Sequence, residues 1–180
     1  MGGNVMNLLT NDNALDLWHD TIKHAEDICA ITLQKELESY LISLLIHYMA
    51  KPEILHQVIA TTFLDSKSNH SNTGLQQVGD QCLLLAGLFP QSAEKKLVKI
   101  SYFVDLGRSA YTSISGDTHE LFRTLAFQFV HLMDVLQSIR PHPDLLPLIA
   151  YEQWKEVGSQ RAFRLLQEYS RRGALPIIRS

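Results

Sequence analysis

Cysteine is scarce in this chain: only Cys29 and Cys82 occur in 180 residues. They are far apart and form no CxxC pair, which excludes a disulfide framework and a cysteine-based zinc knuckle. Each stands among Leu, Ile and Ala, where a free thiol behaves as a small buried hydrophobe, so a reduced, cytosolic chain is expected. HExxH is missing, and with it the common helical zinc site. No Gly-x-Ser-x-Gly occurs, and a nucleophile elbow would need a strand, yet no stretch shows the period-two alternation of one. Gly79 and Gly87 stand too far apart for a phosphate loop. No catalytic residues and no cofactor are expected.

Long apolar runs are also lacking. None approaches the roughly 18 residues that cross a bilayer, and the N-terminus has neither the basic start nor the apolar core of a signal peptide. Met6 stands where a myristoylation signal needs Ser or Thr, so no membrane partner is expected. Excess positive charge is absent too. The net charge of −3, with 46% hydrophobic and 19% charged residues, is that of a globular chain without general attraction for nucleic acid. The charge is unevenly spread: Asp12 to Glu38 holds seven acids and two lysines, and Lys155 to Ser180 six basic residues and two acids. Solvated helix faces account for both, with a docking surface as the other reading.

What the chain has throughout is helical periodicity. Leu15, Trp18, Ile22, Ala25 and Cys29 mark one face of a helix over 13–29, after a flexible N-terminus at 1–12. Thr32 is placed to cap a second helix to Met49, with a polar stripe of Glu36, Ser39, Ser43 and His47. Pro52 suits the first turn of a third helix ending near Leu64. A loop is expected over 65–74, then helices over 75–88 and 101–114 with a turn near Ala93 between them. Asp117 to Glu120 has capping-box spacing and opens a long helix to Ile139. Pro141 and Pro143 precede a helix over 144–156, and Gly158-Ser159 introduces the last, ending at Gly173. Residues 174–180 form an apolar tail able to dock on the body. The fold class is all-α, a compact single-domain array of about seven or eight helices.

Histidine is plentiful, but not in ligand patterns. Asp16, Asp20, His24 and Asp27 line one helix face, whereas a metal needs ligands converging from several elements. That stripe is expected to meet water. His47 belongs to the polar stripe of the second helix, and His131 groups with Thr124, Gln128 and Asp134 on a polar edge, so no metal residues are assigned.

Glycine inside apparent helix is the stronger signal, because it costs about 1 kcal/mol relative to alanine. Gly79, Cys82 and Ala86 form a seam of small side chains, and Gly107, Ala110 and Ser113 a comparable one. Facing seams bring backbones close, and an ion pair between Asp80 and Arg108 across the junction follows as an expectation. It is either structural or, with Tyr102 and Tyr111, part of a cleft holding an anionic ligand. Tyr151 and Trp154, three apart, are core or an interface anchor. With Arg161 and Arg164 they form the candidate interface.

The segments Leu-Trp-His-Asp (17–20), Glu-Ser-Tyr-Leu (38–41) and Gly-Asp-x-Cys-Leu-Leu-x-Ala-Gly-Leu-Phe-Pro (79–90) resemble a family of all-helical proteins of Legionella-like gammaproteobacteria. Tyr-Phe-Val-x-Leu-Gly-Arg-x-Ala-Tyr (102–111), Tyr-Glu-Gln-Trp (151–154) and Gly-Ser-Gln-Arg-Ala (158–162) resemble the same family. The resemblance spans most of the chain and implies a complete single-domain protein in a bacterial cytosol. The family has no assigned function, so no site residue carries over. The leading expectation is a non-catalytic cytoplasmic protein acting through an unknown protein partner or homo-oligomerisation. The alternative is a binder of a small anionic ligand, or an enzyme, at the Asp80/Arg108/Tyr102/Tyr111 cleft.

Overall fold

A computed structural model describes residues 3–53, 59–90, 98–139 and 145–173, with side chains from Asp12 onward. The turn near Ala93, the two prolines after Arg140 and the C-terminal tail lie outside the described residues. Within them the protein is all-α, with nine helices and no strand. Helix α1 (Gly3–Cys29) begins well before Ala14, so the stretch expected to be flexible is helical from Gly3. It turns Ile22, Ala25, Glu26 and Cys29 inward at helical spacing. Ala30, in the left-handed region at φ 48°, ends it. Ile31 and Leu33 then reach back into the core in extended chain. The start of α2 (Lys35–Ala50) therefore moves to Gln34, past the expected cap at Thr32.

The Ser/Asn-rich segment is mostly helix. Helix α3 (Ile59–Ser68) and α4 (Asn72–Leu88) are joined by three residues, with His70 at φ 50°. Ser71 Oγ accepts from the Gly74 N–H at 3.2 Å and so caps α4. Ser71, in a segment expected to be loop, is here a cap. Helix α4 buries Leu75, Val78, Gly79 and the whole run from Gln81 to Gly87. It packs on α5 (Ile100–Thr112) and α7 (Phe129–Ser138), and α3 covers its start. The small-residue seams meet at Gly107, where a Cβ would stand 2.9 Å from Cys82 Cβ and 2.5 Å from the Phe129 ring, whereas Gly79 faces the Tyr111 ring. Close backbone approach at that crossing is what glycine permits.

The long helix expected to reach Ile139 is two, α6 (His119–Phe127) and α7, broken at Gln128. The N-cap is Thr118 rather than Asp117, and it makes no side-chain cap, so the expected capping box is not formed. The buried stripe Phe122, Leu125, Ala126, Phe129, Leu132, Met133 and Leu136 keeps helical period across the break, so periodicity does not reveal it. Helices α8 (Pro147–Val157) and α9 (Gln160–Arg171) form a hairpin through Gly158 at φ 75° and the N-cap Ser159.

Asp134 ties that hairpin to the core. It is fully buried, not on a polar edge with Gln128 and His131. Its Oδ1 accepts from Ser159 Oγ at 2.6 Å, and Oδ2 from the N–H groups of Gln160 at 2.9 Å and Arg161 at 3.2 Å. The carboxylate thus sits on the N-terminus of α9, where the helix dipole favours it. Burial pushes its pKa up, and the Ser159 hydroxyl and the two N–H groups oppose that. Arg161 is buried too: Nη1 donates to Gln137 Oε1 at 3.0 Å, and Gln137 Nε2 donates to the Ala86 carbonyl at 2.9 Å. The same latch takes Arg161 off the surface expected of an interface residue.

Asp134→Ala should destabilise the fold by about 3 kcal/mol, because it strands one hydroxyl and two N–H donors. Asp134→Asn should cost nearly as much, since one of its two terminal positions becomes an NH₂ facing donors. Urea unfolding checks both. An Asn variant as stable as the parent would show that the carboxylate is not the latch.

Candidate functional site

Helices α2 and α4 each carry the same spacing of cleft-facing residues. On α2 and just after it these are Tyr40, Ser43, Leu44, His47 and Lys51; on α4 they are Thr73, Gln76, Gln77, Asp80 and Leu84. Both sets fall at i, i+3, i+4, i+7 and i+11, one face of a helix. The two faces line an open cleft of about 630 Å³, with Tyr48 and Glu53 completing its described wall. That volume suits a small organic molecule.

Asp80 is the half-buried carboxylate of this cleft. Tyr40 Oη donates to its Oδ1 at 2.6 Å, and Tyr111 Oη donates to the same oxygen at 2.7 Å. Gln76 Nε2 donates in turn to Tyr40 Oη at 3.3 Å. Tyr111 reaches Asp80 because a Cβ on Gly79 would overlap its ring. The missing side chain lets the ring lie on the backbone of α4. Tyr40 stands edge-on to Tyr111 at 6.4 Å and to Phe122 at 5.9 Å, and Phe129 backs Tyr111 at 6.0 Å. Aromatic packing therefore fixes where both hydroxyls point.

The second oxygen, Oδ2, accepts no hydrogen bond from the described residues, and it is not sealed from solvent. No basic side chain among those residues compensates the charge. Burial raises the Asp80 pKa to about 6, and only the two tyrosine hydroxyls oppose it. Burial first, then the adjacent Asp80 charge, pushes the Tyr40 and Tyr111 hydroxyls well above their ordinary range. Both stay protonated as donors.

Of the residues expected at this site, Asp80 and Tyr111 come together. The ion pair between Asp80 and Arg108 is not made: Arg108 is exposed on α5, and the tyrosines occupy its expected place. Tyr102 is exposed, with its ring 5.6 Å from Phe103. Nine residues from Tyr111 is two and a half helical turns, which puts Tyr102 on the opposite face. Tyr40 and Gln76 were missed, although the matched spacing of the two stripes was present in the sequence. Among the described residues no three His, Cys, Asp or Glu side chains gather as metal ligands.

The expected interface residues divide. Trp154 is exposed, its ring 6.0 Å from Tyr151 and 5.3 Å from exposed Phe163. Arg164 is exposed and Arg161 buried. A smaller groove of about 250 Å³ lies between the start of α5 and α8, and the Glu156 on its wall is paired with Lys99 at 2.6 Å. No protein-family model, curated protein or solved structure matches this chain. The family resemblance accordingly rests on its motifs alone.

Because the folded pKa of Asp80 lies above the unfolded one, folding takes up a proton between about pH 4 and pH 6. The associated stability is present in acid and is lost as pH rises through about 6. Asp80→Asn keeps an acceptor for both tyrosines and removes the charge. It should raise stability at about pH 7.5 by on the order of 2 kcal/mol and by almost nothing at about pH 4. Thermal unfolding at the two pH values checks this, and destabilisation at both would contradict it.

Proposed function

We propose that the protein is a non-catalytic binder of a small organic molecule, held in the cleft between α2 and α4. One observation carries the reading. Asp80 is anchored through one oxygen by two tyrosine hydroxyls, its other oxygen accepts no hydrogen bond from the described residues, and the residue lines a cleft of ligand size. A group held so firmly on one side and left free on the other is preorganised for a partner. The reading locates the protein in the cytoplasm, supported by two buried cysteines without disulfides. No helix among the described residues is long and apolar enough to cross a membrane. The ligand takes a different chemistry from the anion expected with Arg108, since that cation is not in the cleft.

A second reading, self-association or docking of a protein partner, is favoured by the aromatic group of Tyr151, Trp154 and Phe163 on the α8–α9 hairpin. Trp154 and Phe163 are 42% and 40% exposed, although adjacent and apolar. Sedimentation at rising concentration separates the readings. Self-association through this patch should disappear in Trp154→Glu, whereas ligand binding should survive it.

Native mass spectrometry of gently purified protein should show a bound organic mass at stoichiometric occupancy, or ligand-dependent melting with fractionated cell metabolites. Ser43→Trp, a substitution at an exposed position on the cleft wall, should abolish the effect without unfolding the protein. Failure of any fraction to raise the melting temperature, with no retained mass, would contradict the proposal.

A further inference from the structure

The cleft also indicates the charge of what it holds. Resting on the ligand-binding reading above, we propose that the ligand is an organic cation, a primary ammonium or guanidinium on an apolar or aromatic body, with its nitrogen on Asp80 Oδ2.

Three observations lead there. First, the hydroxyl protons of Tyr40 and Tyr111 are both committed to Asp80 Oδ1, and one Gln76 N–H to Tyr40. Apart from the second Gln76 N–H, what these residues leave for a ligand beside Asp80 is acceptor capacity, chiefly the free carboxylate oxygen. An anionic head group would meet like charge there, and a neutral donor would leave the carboxylate without a counter-charge. Second, Asp80 is ionised at neutral pH yet has no basic partner among the described residues. A poorly solvated charge gains most from an opposite charge brought by the ligand. Third, the walls fit the rest of such a molecule. Tyr40 and Tyr48 present aromatic surface, and Leu44 and Leu84 apolar surface. Aromatic faces attract cations as well as apolar bodies. His47, Lys51 and Glu53 also line the cleft, so charge-matched probes are compared at a single pH.

The probes are benzylammonium, benzyl alcohol and benzoate, three molecules of one shape and different charge. Each is titrated at about pH 7.5 into the folded, full-length protein, the Asp80→Asn variant and the Ser43→Trp variant. Binding is followed by NMR shifts of Tyr40, Gln76 and residue 80. Benzylammonium should bind at least about tenfold more tightly than the other two, an advantage lost in Asp80→Asn. Preserved far-ultraviolet circular dichroism shows that the variants remain folded. Benzyl alcohol or benzoate binding as well as benzylammonium, and blocked by Ser43→Trp, would overturn the cationic ligand while leaving the cleft as a binding site. No shift at these residues from any probe at millimolar concentration would overturn both. Benzylammonium binding unchanged in Asp80→Asn would overturn the role of Oδ2.

Discussion

A carboxylate drawn into a helical core has to be given donors or a cation, and the way this chain meets that demand organises the molecule. Glu26 and Glu38 are buried where α1 meets α2 and share Lys23, and Glu26 also accepts from the Leu33 N–H. Asp134 is buried under α9 with both oxygens occupied. Glu26 and Asp134 have both oxygens occupied, and Glu38 has the Lys23 cation on one of its own. Asp80 differs, being held on one oxygen and open on the other. Identical chemistry thus gives latches in one place and an unfinished site in another, and the difference is whether a cation or a full set of donors meets the carboxylate.

The unfinished site depends on the α4–α5 contact. Helix α4 is enclosed from Gln81 to Gly87, and its polar residues Thr73, Gln76, Gln77 and Asp80 gather on the face that lines the cleft. Gly107 against Cys82 sets how near α5 can come, and Gly79 lets the Tyr111 ring reach the backbone one residue from Asp80. The price is a carboxylate that favours its protonated form up to about pH 6. Stability given up where a ligand would restore it is a common mark of binding sites.

The fold class, the close seams and the α8–α9 turn were legible because each rests on local chemistry: period, small residues, and Gly158-Ser159. The breaks were less so. Gln128 interrupts a stripe whose period does not change, and the Ser/Asn-rich segment is short because α3 runs on to Ser68 and Ser71 caps α4. At the site, Asp80 stood out as an acid inside an apolar run, and Tyr111 as its neighbour across the seam. Arg108 attracted the pairing argument because charge complementarity is visible in a sequence and the direction of a side chain is not. Tyr40 lies 40 residues from Asp80 in the chain, and only the fold brings them together. The equal spacing on α2 and α4 was available, but it gains meaning once the two helices are known to face each other.

The most direct measurement is the titration of the Asp80 carboxyl carbon by NMR, assigned by its loss in Asp80→Asn. The account predicts a midpoint near pH 6, with no cationic side chain needed to explain it. A midpoint near the ordinary aspartate value, about 4, would mean that the carboxylate is solvated or paired and that the cleft holds no uncompensated charge.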